Sequence, residues 1–169
     1  MNKRHVVLMV VLLFVAASLS CSSGEDIAAK NKVIVQQAFD ALNNHEYEKL
    51  DQFMAQDYVR HCQATPDVKV ESLDDFKALL SEWDKQFPDA ELGVDLIAAQ
   101  GDLVAFYGPY SGTHTGQMGA FPATGNRMVA ECAGFHRLEE GKIVETWVTW
   151  DNLAVLSQLG LFPPAPAEK

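Results

Sequence analysis

Two side chains of this 169-residue sequence stand where proton chemistry is feasible: Asp151, at the end of a tryptophan-bearing run, and His136, set among small residues. Asp151 follows Trp147-Val148-Thr149-Trp150. In an extended run side chains alternate, so Trp147 and Thr149 share its side while Val148 and Trp150 face the other way. A carboxylate beside indole rings is poorly solvated and exchanges a proton more readily near neutral pH than one in open water. The competing role is structural, because Asp151 also stands where it can cap the final helix. His136 shares a strand face with Gly134, Cys132 and Ala130, small neighbours that leave room for a ligand. An imidazole there can orient Asp151 or donate to a carbonyl, or it can lie satisfied in the core or at the surface. Tyr58, Trp83, Phe87, Phe106, Tyr110 and Trp147 sit on elements expected to face a cavity, and most such aromatic residues are packing. Arg137 falls on the face opposite His136 and reads as a rim or solvent ion pair, and His45, in a turn, reads as surface.

Several chemistries lack a motif. No CxxC or HExxH spacing occurs, so no metal ligand set is expected, and the Gly/Thr-rich loop 112–125 has no GxxxxGK pattern to cradle phosphate. Cys62 and Cys132 are expected to remain thiols rather than to pair.

The N-terminus has the layout of a secretory signal. Lys3 and Arg4 precede an apolar run from Val6 to Ala17, too short to cross a bilayer, and then Ala16-Ala17-Ser18. Ser18-Leu19-Ser20-Cys21 is similar to a lipobox, although Leu stands one place later than usual. The expected organisation is a signal peptide over 1–20, a lipidated Cys21 with a tether over 21–30, one domain over 31–162 and a Pro-rich tail over 163–169. This places the protein in the bacterial cell envelope, held to a membrane by its lipid. Loss of Lys3 and Arg4 takes the formal charge from −10 to −12, a balance that repels nucleic acid.

Helical spacing of Val33, Ile34, Ala38, Phe39 and Leu42 predicts a first helix, broken at Asn43-Asn44. A second helical stretch runs from Tyr47 to Met54, and the chain turns extended at Tyr58-Val59-Arg60-His61. Ser72-Leu73-Asp74-Asp75, a variant capping box, opens a third helix with Phe76, Leu79, Leu80, Trp83 and Phe87 on its apolar side. The period then changes to two: Leu92, Val94 and Leu96, a Gly101-Asp102 turn, and Leu103 to Tyr107 form a hairpin. Strands over about 128–138 and 142–150 are joined by Glu139-Glu140-Gly141. A short helix over about 152–159 closes the chain. Helices followed by a meandering antiparallel sheet predict an α+β fold, the sheet burying one face under the helices and curling around a pocket.

Three segments carry a family likeness. Tyr58-Val59-Arg60-His61, Gly112-Thr113-His114-Thr115-Gly116 with Pro122-Ala123-Thr124-Gly125, and Phe135 to Trp147 through Asp151 and Gln158-Leu159-Gly160 resemble the SnoaL-like polyketide cyclases (ester cyclases) of the NTF2-like superfamily. The resemblance implies a cone of three N-terminal helices on a curved, mainly antiparallel sheet, and a cofactor-free aldol closure in which one Asp, here Asp151, is the acid/base. His61 and His114 sit inside these motifs, where each can supply a neutral donor or acceptor in the pocket, and of the cavity-facing aromatics Tyr58, Trp83, Phe87 and Trp147 are the expected ligand contacts. One position departs: Val148 follows the Trp, where the family often carries an acid or amide.

The expected function is therefore a cyclase- or isomerase-type enzyme in which Asp151, assisted by His136, moves a proton next to a carbonyl of a small hydrophobic substrate, with no metal or organic cofactor. The alternative is an envelope lipoprotein that binds a small lipophilic molecule unchanged. An exposed sheet face that pairs two copies as a homodimer is a third possibility.

Overall fold

The computed structural model describes residues 24–162. Helix α1 covers 24–43, so the stretch read as a tether is helical from residue 24. Its core stripe is Val35, Ala38, Phe39 and Ala41, whereas Val33, expected on that stripe, is 51% exposed. The helix ends at Asn43, whose amide accepts from the Leu92 N–H at 2.9 Å and donates to the Leu92 carbonyl at 3.0 Å. That pair of bonds mimics a strand partner and fixes the end of α1 to the sheet.

The second helical stretch is a 3-10 helix, Tyr47–Gln52, and Met54 already belongs to strand β1, Met54–Cys62. Helix α2, Leu73–Gln86, begins as the capping pattern requires: the Ser72 hydroxyl accepts from the Asp75 N–H at 3.0 Å, and the Asp75 carboxylate accepts from the Glu71 N–H at 3.1 Å. Phe76 and Leu80 of α2 are buried against the sheet.

The sheet comprises β1, β2 (Glu91–Leu92), β3 (Leu96–Gln100), β4 (Leu103–Thr113), β5 (Arg127–Glu139) and β6 (Lys142–Trp150). Its order is β1-β6-β5-β4-β2, with β3 also paired to β4, and only β1 and β6 run parallel. The β5–β6 hairpin turns on Glu140 and Gly141, both at positive φ (50° and 79°), as a two-residue turn matched to strand twist requires.

One irregularity decides what faces inward. Arg137 pairs with Glu145, but Leu138 pairs with Ile143, so Val144 is an extra residue in β6. This bulge lets both Ile143 and Thr146, three apart, point into the core. The result is a mixed α+β half-barrel whose inner face, with α1 and α2, surrounds a cavity. A smaller cluster of Phe87, Met128, Ala130, Val155 and Leu159 closes the far end under helix α3, Asn152–Gln158.

Candidate active site

The cavity has a volume of about 130 Å³. Its deep part is apolar, formed by residues such as Val35, Phe39, Met54, Phe76, Leu80 and Ile143. At the other end the rings of Trp83, Tyr110 and Trp150 meet with centroids 6.2–6.4 Å apart. Across the floor the strand register sets one polar row, Arg60 on β1, Thr146 on β6 and His136 on β5.

His136 is 8% exposed. Gly134 explains its setting: a Cβ at that position would lie 2.7 Å from the Phe106 ring, so glycine allows Phe106 to lie flat on the sheet. Phe106 then stacks on the imidazole at 4.9 Å and 17°, with Phe39 edge-on at 5.6 Å. The room expected over Gly134 is thus filled by Phe106, and the opening lies instead toward Cys132 and Thr146. The Thr146 hydroxyl is 2.8 Å from Nδ1, while Nε2 is buried without a partner. Burial pushes the imidazole pKa down to about 3, so the ring is neutral. With the Thr146 O–H donating to Nδ1, Nε2 carries the hydrogen and is a donor without an acceptor.

Tyr58 is 1% exposed, and burial pushes its phenol well above the ordinary value, against smaller opposite pulls from Thr146 and Arg60. Burial also raises Tyr110 to about 12 and Cys132 to about 11, so both stay protonated. Arg60 is 6% exposed; its guanidinium carbon lies 5.5 Å from the Trp83 ring centroid and 5.8 Å from that of Trp150. Its Nη1 is buried with no hydrogen-bond partner.

At the cavity mouth Asp84 takes the Tyr47 O–H on Oδ1 at 2.6 Å, and His45 Nδ1 lies 3.0 Å from the same oxygen. His45, expected at the surface, is 39% exposed through its side chain and joins this group by a turn in which its φ is 55°. Among the described residues no three His, Cys, Asp or Glu side chains stand close enough to hold a metal ion.

The sequence-derived candidates divide. His136, Tyr58 and Trp83 line the cavity. Asp151 does not: it is exposed, and its Oδ1 accepts from the Ala154 N–H at 3.0 Å as the N-cap of α3. The alternation that puts Val148 and Trp150 inside turns Asp151 outward with Trp147. His61 and Trp147 lie on the outer face, stacked at 5.4 Å, with His61 Nε2 2.7 Å from Glu145. His114 is fully buried away from the cavity, stacked on Phe87, and its Nδ1 bonds Thr124 to pin the 112–125 loop. Cys21 lies outside the described residues.

Cys62 and Cys132 are free thiols. Strand β6 separates them, since Cys62 pairs with Val148 and Cys132 with Trp150. Two strand spacings of about 4.8 Å exceed the Cα separation a disulfide can bridge, about 7 Å.

Sequence reasoning passed over Arg60, Thr146 and Asp84. For Arg60 a signal existed: it is two residues from Tyr58, so an inward Tyr58 brings Arg60 inward with it. Thr146 shares the strand face of Val148 and Trp150, so it was set on the outer side with them when Asp151 was read as inward.

The family model for SnoaL-like polyketide cyclases matches residues 32–159. IdmH of Streptomyces antibioticus, described as a candidate polyketide cyclase, is 28% identical with a TM-score of 0.69, over 77% of this chain and 98% of its own. AclR of Streptomyces galilaeus, described as a candidate hydroxylase, is 28% identical with a TM-score of 0.70, over 83% of this chain and 91% of its own. A SnoaL-like protein of Jannaschia sp. CCS1 shares the fold at 20% identity, with a TM-score of 0.72 over 81% of this chain and 96% of its own. No curated protein matches in sequence.

Proposed function

The chain belongs to the SnoaL-like polyketide cyclase family, and from that membership we propose that it is a cyclase- or isomerase-type enzyme acting next to the carbonyl of a small hydrophobic compound. The observation that carries this reading is the buried, neutral imidazole of His136 with an unpartnered Nε2 in an apolar cavity. A neutral donor of this kind polarises a carbonyl oxygen and holds the enolate that forms when the adjacent carbon loses a proton. Asp84, a carboxylate lining the same cavity, is the proton acceptor, taking the role first assigned to Asp151. In a β,γ-unsaturated ketone the dienolate then regains the proton from Asp84 at the γ-carbon, or in a dicarbonyl compound the enolate carbon attacks the second carbonyl and Asp84 returns the proton to the resulting alkoxide. A cavity of about 130 Å³ is close to the roughly 150 Å³ that admits benzene, so the substrate accommodated is about one ring in size.

The test is hydrogen–deuterium exchange at the α-carbon of cyclohexanone, followed by NMR. His136→Gln is expected to slow protein-catalysed exchange by roughly 10²- to 10³-fold, and Asp84→Asn by roughly 10²- to 10⁴-fold. If the ketone binds but exchanges no faster than in buffer, the protein is a carrier of small lipophilic molecules instead.

Export and a lipid anchor at Cys21 are part of the same proposal, supported by Lys3-Arg4, the apolar run Val6 to Ala17 and the Ser18 to Cys21 box. Metabolic labelling with a fatty-acid analogue should mark the parent and not Cys21→Ala; equal labelling of both rejects the anchor.

A further inference from the structure

Arg60 is the one buried charged side chain of the cavity that the proposed proton transfer leaves without a task; Glu91, also on the lining, is exposed. Its guanidinium keeps its charge in proteins, and a charge taken out of water without an opposite charge is a standing cost. Here it is 6% exposed, its Nη1 has no partner, and none of the salt bridges among the described residues includes it. The faces of Trp83 and Trp150 offset part of the cost by cation–π contact. Their rings cross at 83°, so the guanidinium sits in an aromatic corner with Nη1 unpartnered. Neither carboxylate on the cavity wall pairs with it: Asp84 is engaged by Tyr47 and His45 at the mouth, and Glu91 is exposed.

The electrostatics of the rest of the chain sharpen the point. A protein with a formal charge of −10 repels anions in general, so affinity for an anion has to come from a local cation. A guanidinium suits two oxygens of a planar acid, and the aromatic corner of Trp83, Tyr110 and Trp150 suits an apolar body attached to it.

We propose that the cavity takes a carboxylate-bearing ligand of about one ring, whose carboxylate pairs with Arg60 between Trp83 and Trp150. This rests on the proposed active-site reading and narrows its substrate class to small cyclic or aromatic keto acids. The carboxylate end is anchored by Arg60 and the carbonyl end lies toward His136 along the same row of the sheet. Arg60 is then a specificity-determining residue and not a structural one.

The test uses the whole chain with benzoate and benzamide, equal in shape and different in charge, and reads binding through quenching of tryptophan fluorescence, since Trp83 and Trp150 line the site. Parent protein should bind benzoate more tightly than benzamide. Arg60→Gln should weaken benzoate about 10- to 100-fold and leave benzamide within about twofold, as loss of a charge-assisted bond predicts. Arg60→Met addresses folding separately. A guanidinium held for a ligand is uncompensated in the empty protein, so Arg60→Met should leave the melting temperature equal or raised. Equal binding of the two probes to the parent, an unchanged benzoate affinity in Arg60→Gln, or a melting temperature several degrees lower in Arg60→Met would each overturn the proposal. Because benzoate has no enolisable carbon, its binding is independent of whether His136 and Asp84 catalyse exchange, and either idea can fail alone.

Discussion

The inner and outer faces of the sheet each bring together a histidine, an arginine and tryptophan, and leave them in opposite states. Outside, His61 stacks on Trp147 and bonds Glu145, while Arg137 lies 5.8 Å from the same ring centroid and pairs with the same carboxylate. Inside, Arg60 lies against Trp83 and Trp150, and His136 bonds only Thr146. Two consecutive residues of β6 make the difference: Glu145 offers a full charge to the solvent side, and Thr146 offers a neutral hydroxyl to the cavity. The outer set has its charges paired through Glu145, although Arg137 Nε makes no hydrogen bond. The inner set keeps a cation and an imidazole nitrogen unpaired at a place water is poorly able to serve, which is how a protein holds binding capacity in reserve.

The comparison extends to packing, where it can be broken most decisively. Phe106 on β4 is 5% exposed and supports both Phe39 and His136, whereas Phe135 on β5 is 54% exposed on the outer face. Phe106→Ala should cost about 3–5 kcal/mol by denaturant unfolding, and Phe135→Ala less than about 1 kcal/mol. Similar losses at the two positions would mean that the outer face is covered as fully as the inner one.

A smaller effect separates the faces by pH. The His136 imidazole has its pKa pushed by burial from 6.5 down to about 3 in the folded protein. Between these values the unfolded chain binds the proton and the folded chain does not, so stability rises with pH there. The contribution is complete above about pH 6.5 and is lost as pH falls toward 3, with a slope of up to about 1.4 kcal/mol per unit. Unfolding of the parent and of His136→Gln, measured across that window, should show a shallower acid-side loss in the variant. Parallel curves would mean that the ring is hydrated in the folded state.

How much of this was legible in the sequence follows from what periodicity encodes. The elements were, because caps such as Ser72, turn residues such as Glu140-Gly141 and the change of period near Glu91 are local signals. The choice of face was not, because alternation says which residues travel together and not which set is inside. Asp151 and Trp147 were grouped correctly and then assigned to the wrong side, with His61. Thr146 travels with Val148 and Trp150 and was missed with them, while the extra residue Val144 shifts the phase only for Lys142 and Ile143 before it. Arg60 needed a different fact, that no carboxylate pairs with it, which emerges only when strands distant in sequence are laid side by side.

The smallest expected effect concerns Asp151, the residue on which family likeness and geometry diverge. Its carboxylate accepts from the Ala154 N–H at 3.0 Å, and its backbone carbonyl accepts from Val155 at 3.1 Å, the two bonds that start α3. Asparagine caps nearly as well as aspartate, so Asp151→Asn should change stability by less than about 0.5 kcal/mol, while Asp151→Ala should cost about 1 kcal/mol. Because α3 packs Val155 and Leu159 on Met128 and Ala130, loosening it reaches β5 at the end away from His136, and exchange at cyclohexanone should stay within about twofold in both variants. The pattern that matters is the pair of results taken together. Asn restoring stability with turnover unchanged identifies a cap. Asn that keeps full stability but loses turnover by tenfold or more would bring Asp151 back into the chemistry, and would require β6 to turn its C-terminal end inward when substrate binds.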